Sequence, residues 1–226
     1  MNESLKSLHP DNEPLWLPTK WLESEMSGKI AWRGLFGFLK IPFDPSATPN
    51  VIVKGKIIPF VTPVSGHRTI RFIDELSRGI APLDTAFWRE IEMGAKITRW
   101  IENRGKCIID SKATFLEYAN RVQDMLSFSR ENGIVPISQS RRLPSQRPDV
   151  DIGFALLDDG IYFHRKGHHR LGCARALNIE RIPCRCYLSS ASKLKRISQS
   201  LGAESFSWYD VLSSYIKTRE SLAKTE

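Results

Sequence analysis

The sequence predicts an α/β fold of the α+β type, in which a mixed sheet carries helices. Three observations support this prediction. Apolar residues recur at helical spacing over 113–131. Within 150–163, two short apolar runs are separated by an Asp-Asp-Gly turn, a pattern typical of a β-hairpin. A second helical pattern over 168–178 precedes an apolar run over 182–188 that is typical of a strand.

The first half of the chain predicts short elements. Two apolar runs, 51–53 and 57–61, flank a Lys-Gly-Lys turn and predict a hairpin. Isoleucine and leucine at three-residue spacing predict a helix over 67–79, which a glycine ends. Residues 97–100 and 107–109 are compatible with either strands or helix ends.

The second half of the chain carries the longer elements. The helix over 113–131 should end at Asn132-Gly133, because asparagine and glycine favour a helix C-terminus. The Ile-Val-Pro-Ile segment 134–137 predicts an edge strand, since proline cannot donate to a sheet. Helices over 192–201 and 206–223 are predicted to close the chain.

The composition indicates a globular protein. Of 226 residues, 41% are hydrophobic and 26% are charged, which excludes disordered, collagenous and coiled-coil classes. The length fits one large domain or two small ones. The net charge of +8 favours acidic partners, such as nucleic acid, nucleotides or phosphorylated compounds.

The sequence predicts a cytoplasmic protein without a membrane partner. The N-terminus is polar, and the apolar runs are too short to span a bilayer. The four cysteines do not make a disulfide framework for a chain of this size. Cys184 and Cys186 are two residues apart, which is not the usual spacing of metal ligands, so no metal site is expected.

The segment Gly167-His168-His169-Arg170 is the candidate phosphate-binding site. A glycine lets the backbone approach an anion closely, and the N-terminus of the following helix offers unpaired N–H groups and partial positive charge. Arg170 adds a fork of donors suited to phosphate oxygens. Further cations that can support this site are Arg141, Arg142, Arg147, Arg165 and Lys166.

The same residues also allow a structural interpretation. Arg170 can pair with Asp149 or Asp151 and fix the turn, and His169 can be a buried, hydrogen-bonded side chain. A second Gly-His-Arg triplet at 66–68 is interpreted as a chance recurrence. The sequence alone does not choose between the functional and the structural roles.

Residues 151–188, DIGFALLDDGIYFHRKGHHRLGCARALNIERIPCRCYL, resemble the core of the ParB/sulfiredoxin-like fold. That family has a strand, a turn and a strand, then a glycine that opens a helix with the pattern G-x-x-R, and a further strand that begins near Ile-Pro. The likeness covers 113–190, and the pattern also resembles uncharacterised ParB-like proteins with an extra N-terminal region. It implies that the aromatic-rich N-terminal extension (1–112) packs on this core, and the helices predicted from the residue pattern occupy 191–226.

Two departures separate the chain from the best-known branches of this family. Sulfiredoxins have a reactive cysteine where this chain has His168, so sulfiredoxin activity is not expected. Partition ParB proteins have glutamate and two arginines after the glycine, and a helix-turn-helix domain that the residues after Leu188 are too few to form. The resemblance therefore implies neither a sulfiredoxin nor a partition protein.

Three functions remain as hypotheses. The first is binding of a nucleotide or phosphorylated ligand at the Gly167–Arg170 turn. Phosphoryl transfer and nucleotide hydrolysis are its candidate reactions, and Mg²⁺ is the candidate cofactor. The alternative is a nucleic-acid-binding accessory protein, and the second alternative is a non-catalytic interaction module. The sequence assigns no catalytic residue and no oligomeric state.

Overall fold

The structure is a computed structural model that describes residues 14–34, 37–42, 51–53, 56–101, 105–136, 151–164, 166–202 and 208–222. The strands are β1 (Leu15–Pro18), β2 (Ser24–Gly34), β3 (Gly37–Pro42), β4 (Val51–Val53), β5 (Lys56–Pro63), β6 (Ile97–Ile101), β7 (Gly105–Ile109), β8 (Ile152–Leu156), β9 (Ile161–Phe163) and β10 (Arg181–Ser190). The helices are α1 (Arg68–Ser77), α2 (Ala86–Glu92), α3 (Lys112–Asn132), α4 (His168–Ala176), α5 (Ala191–Ser200) and α6 (Trp208–Leu222).

These elements confirm the predicted α/β class with a mixed sheet. Eight of the described strands form one sheet, whose main path runs β1-β10-β8-β9-β2-β3. Strand β10 is parallel to β8 and β4 and antiparallel to β1. Strand β5 pairs with β2, and β6 and β7 form a separate antiparallel pair. Strand β10 therefore lies between β1, from the first part of the chain, and β8, from the second part.

One hydrophobic cluster joins the sheet to the helices. It includes side chains from β1, α1, α3, β8 and α6, for example the buried Leu17, Phe72, Phe115, Phe154 and Ile216. Burying large apolar side chains in this way is the main favourable contribution to folding. The N-terminal strand and the C-terminal helix thus share one core with the central part of the chain.

Helix α3 shows why the long helix was predictable. Ser111 and Thr114 form a capping box at its N-terminus, and Gly133 ends it with φ +71°. Both signals are local in the sequence, since a cap requires residues only one turn apart. The structure places the helix at Lys112–Asn132, within one residue of the predicted bounds.

The predicted hairpin at 51–61 is wrong. Strand β4 pairs in parallel with β10, and β5 pairs with β2 in antiparallel register. Both runs are strands, as predicted, but their partners lie elsewhere in the chain. A Lys-Gly-Lys turn indicates that the chain changes direction, and it does not determine which strands pair.

The predicted strand at 134–137 is also not found over its described residues. Residues 134–136 carry no strand pairing, and the carbonyl of Val135 accepts a hydrogen bond from Arg170. The Arg170 side chain therefore occupies a backbone acceptor that a paired strand would otherwise use. The ambiguous runs at 97–100 and 107–109 belong to strands β6 and β7.

Helices α1 and α4 pack closely because Gly172 has no side chain. A Cβ atom at this position would lie 2.7 Å from Cδ1 of the fully buried Ile73. We expect Gly172→Ala to lower the free energy of unfolding by about 1–3 kcal/mol through overpacking, although alanine has the higher helix propensity. Chemical denaturation measures this loss.

The control is Ile73→Val, which removes Cδ1. Alone it should lower the free energy of unfolding by about 0.5–1.5 kcal/mol. The double variant should lose less unfolding free energy than the sum of the two single-variant losses, because the alanine methyl occupies the space that Cδ1 vacates. Strictly additive losses would contradict this explanation of the close packing.

Candidate functional site

The turn before α4 holds the predicted phosphate-binding residues. Gly167 is the N-cap of the helix and adopts the left-handed conformation, with φ +78°. A Cβ atom here would lie 3.0 Å from Cα of Ile152, so the backbone of this turn lies directly against β8. No described side chain caps the helix, and its first turn contains no acidic residue. The helix N-terminus therefore keeps its partial positive charge.

Arg170 lies inside the protein. Its side chain is buried, with Nη1 3.1 Å from Oδ1 of Asp151, and Nη2 donates to the Val135 carbonyl. The second Asp151 oxygen accepts from Nε of Arg185 at 2.9 Å. Pairing with Asp151 was one of the structural roles that the sequence left open. These contacts hold the start of α4 against the sheet, so Arg170 is a positioning residue in this structure.

His169 connects α4 to α3. Its Nε2 atom is 2.8 Å from the Tyr118 hydroxyl, and the two rings meet edge to face with centroids 5.7 Å apart. Tyr118 is buried in the main hydrophobic cluster. The hydrogen bond therefore fixes the orientation of the imidazole, as in the structural interpretation of the sequence.

His168 lies in a different group, which we call the histidine–glutamate cluster: Glu25, His67 and His168. The imidazoles of His67 and His168 stack with centroids 3.9 Å apart. Nε2 of His168 lies 3.4 Å from Oε2 of Glu25. One ligand atom from each of the three residues lies within 4.8 Å of the other two. The cluster brings two imidazoles and one carboxylate to a single point.

Three separate elements build this cluster. Glu25 lies on β2, paired with Phe163 of β9, and the Phe163 ring contacts His168 edge to face. His67 is the N-cap of α1, and His168 is the first residue of α4. Because α1 packs against α4, the segments Gly66–Arg68 and Gly167–Arg170 meet at their helix N-termini. Glu25 and His67 were not predicted from the sequence, and the signal for His67 was the triplet at 66–68 that was interpreted as a chance recurrence.

No family model, curated protein or solved structure matches this chain in the three comparisons made. The resemblance to the ParB/sulfiredoxin-like family therefore stays a prediction.

Among the predicted supporting cations, Arg141, Arg142, Arg147 and Arg165 lie outside the described residues. Among the described helices, none has the length and apolarity needed to cross a bilayer.

Lys166 is the one predicted supporting cation within the described residues. Its ammonium lies 5.8 Å from the centroid of the Tyr187 ring, a cation–π distance. Its carbonyl accepts from the N–H of Gly153 at 3.1 Å, which fixes the backbone before Gly167. Burial raises the pKa of Tyr187, so this hydroxyl stays neutral beside the lysine. Lys166 thus carries a positive charge on the residue directly before the N-cap of α4.

Cys184 and Cys186 do not provide reactive thiols. Cys173, Cys184 and Cys186 are buried and unbridged. Burial raises the pKa of Cys186 to about 12 and raises that of Cys184 well above its usual range. Because the thiolate is the nucleophile, Cys184 and Cys186 are inert at neutral pH and act as small apolar groups.

A cavity of about 740 Å³ lies away from the cluster. It runs beside α1 and the C-terminal half of α4, and neither Gly167 nor a cluster residue lines it. Its charged lining mixes both signs, for example Arg71 and Arg175 with Asp74 and Glu23. This mixture gives no preference for an anion. The chemistry-bearing residues are instead concentrated at the N-termini of α1 and α4.

Proposed function

We propose that this protein binds the phosphate group of a nucleotide or phosphorylated metabolite at the N-terminus of α4. The observation that carries the proposal is the Gly167 turn, which opens a helix without a side-chain cap or an acidic first turn. Backbone N–H groups at such a terminus point at the ligand and favour negative charge. The positive net charge of the chain is consistent with an anionic ligand.

The cation beside the bound phosphate is Lys166 in this proposal. Arg170 is bonded to Asp151 and to a backbone carbonyl, so its role is to hold the turn in place. Lys166 directly precedes Gly167 and is only partly buried. A lysine acts on phosphate as a flexible point charge, which suits a position at the rim of a helix terminus.

Mg²⁺ is compatible with this site only as a companion of the ligand. Both oxygens of Asp151 are bonded to arginines, and Glu25 faces His168. These residues do not make the oxygen-rich cage that Mg²⁺ prefers. A magnesium ion would be held mainly by the phosphates of the nucleotide and by water, with this chain supplying the N–H groups and Lys166.

A thermal-shift panel tests the proposal. ATP, ADP, CTP, GTP, pyrophosphate and inorganic phosphate are each added with Mg²⁺ to the wild-type protein. A ligand at 100 times its Kd should stabilise the fold by about 2.7 kcal/mol. Phosphate release in the same samples reports nucleotide hydrolysis. If no compound in the panel raises the Tm, the α4 terminus has only a structural role.

The variant Lys166→Glu tests whether the phosphate binds at this turn. We expect it to weaken the binding of any stabilising compound by about tenfold or more, because it reverses a charge beside the ligand. The matched control is Lys195→Glu, which makes the same change at an exposed position on α5. Equal affinities in the two variants would contradict binding at this turn. Arg170→Ala is avoided, since breaking a buried ion pair destabilises the fold.

A further inference from the structure

The geometry points to a site for a divalent transition-metal ion at the histidine–glutamate cluster, with Glu25, His67 and His168 as its ligands. Two imidazoles and one carboxylate are the ligand set of several catalytic zinc sites and of non-haem iron sites. Three protein ligands leave at least one position open for water or a substrate. This inference goes beyond the phosphate site and does not depend on it.

The distances in the cluster suit a metal ion. Two ligands at about 2.1 Å from a tetrahedral metal are about 3.4 Å apart. Nε2 of His168 and Oε2 of Glu25 have this separation, 3.4 Å. The third ligand atom, from His67, lies within 4.8 Å of both. A small inward movement of one ring therefore completes a three-ligand site.

Burial of the cluster also favours a cation. Glu25 is only 5% exposed, so water screens little of the attraction between its carboxylate and a cation beside it. Nε2 of His168 is buried and makes no hydrogen bond within the described part of the chain. The contact with Glu25 is thus an ion-pair distance without hydrogen-bond geometry. A metal between the two atoms would give Nε2 of His168 a partner and would place a positive charge beside the Glu25 carboxylate.

Binding of the ion through Nδ1 requires His67 to give up its contact with the Thr69 N–H. Its Nδ1 atom now accepts the N–H of Thr69 at 3.3 Å, which caps α1. A neutral imidazole that accepts at Nδ1 carries its proton on Nε2. Metal binding therefore exchanges this long N-cap bond for a coordinate bond, with the ring turned to present a nitrogen lone pair.

The ligand atoms are all nitrogen or oxygen, so the absorption spectrum of a bound metal ion distinguishes this site from one that contains a cysteine thiolate. The thiols of Cys173, Cys184 and Cys186 are buried, and burial raises the pKa of Cys184 and of Cys186. A Co²⁺ ion in the cluster should show d–d absorption without a thiolate-to-metal charge-transfer band. A cysteine site would show that band, so the spectrum separates the two possibilities.

The test uses the full chain, reduced, treated with EDTA and desalted, in the absence of any nucleotide. Titration with Co²⁺ should give one bound ion per chain, and Zn²⁺ should compete for the same site. The ligand variants are Glu25→Gln, His67→Asn and His168→Gln. Asparagine at 67 keeps a good N-cap for α1 while it removes the imidazole.

Each ligand variant should weaken Co²⁺ and Zn²⁺ binding by about 100-fold or more, since even outer-shell changes cost about 10–100-fold. The matched control is His169→Gln, which removes the neighbouring imidazole that bonds Tyr118 and should leave affinity unchanged. Absence of stoichiometric binding by the wild type overturns the inference. So does a thiolate band, or equal weakening in the control. Because no nucleotide is present, these outcomes are independent of the phosphate proposal.

Discussion

Asp151→Asn is expected to lower the free energy of unfolding by about 3–5 kcal/mol, because it leaves a buried arginine without its counter-charge. Asp151 is 2% exposed and Arg170 is 8% exposed. The carboxylate bonds Arg170 through one oxygen and Arg185 through the other. Asparagine keeps the shape of the side chain and removes the negative charge. Guanidinium chloride denaturation measures the loss as a lower midpoint at constant slope.

Asp74→Asn is the control for this prediction. Asp74 pairs with Arg78 one helical turn away, and the two side chains are 41% and 69% exposed. Exposed pairs contribute about 0–1 kcal/mol, so this variant should unfold nearly as the wild type does. If the two substitutions had equal effects, the Asp151 network would not be the anchor of α4 that the structure indicates.

Gly167→Ala is expected to lower the free energy of unfolding by about 2–5 kcal/mol, through two separate causes. The left-handed conformation costs a non-glycine residue about 1–2 kcal/mol. The new Cβ would also lie 3.0 Å from Cα and 3.1 Å from Cγ1 of Ile152. Overpacking against a backbone atom adds about 1–3 kcal/mol, because the strand cannot move aside easily. Thermal and chemical denaturation both report this loss.

Gly79→Ala separates the two causes. Gly79 has φ +82°, close to that of Gly167, but an added Cβ would meet no atom within 4 Å. This control should show only the conformational cost of about 1–2 kcal/mol. The excess loss at Gly167 then measures the contact with β8. No excess would mean that the turn has room for a side chain.

Local signals explain why most elements could be predicted. The structure confirms helices α1, α3 and α4 close to their expected positions. A helix is specified by residues three and four apart and by caps within one turn, all of which a short window contains. Strand pairing is different. The partner of β4 is β10, and nothing within the sequence around 51–53 indicates this.

Only the part of the candidate site that lies in one short stretch of sequence could be predicted. The glycine turn, with His168, His169 and Arg170, was visible as a short motif before a helical pattern. The contact of Arg170 with Asp151 was one of several alternatives, and only the fold could choose among them. Glu25 lies on a strand whose pairing brings it to His168, so its place in the cluster depends on tertiary structure.

The pairing of β1 with β10 has a consequence for folding during synthesis, because the two strands are made at different times. Trp16 of β1 and Arg181 of β10 are 165 positions apart. At about 5–20 residues per second, the ribosome makes β10 roughly 8–33 s after β1. During that interval the apolar side chains of Leu15 and Leu17, which are buried in the finished fold, have no sheet to join. The nascent chain thus carries β1 without its partner strand throughout that interval, and a chaperone that shields Leu15–Pro18 would act during it.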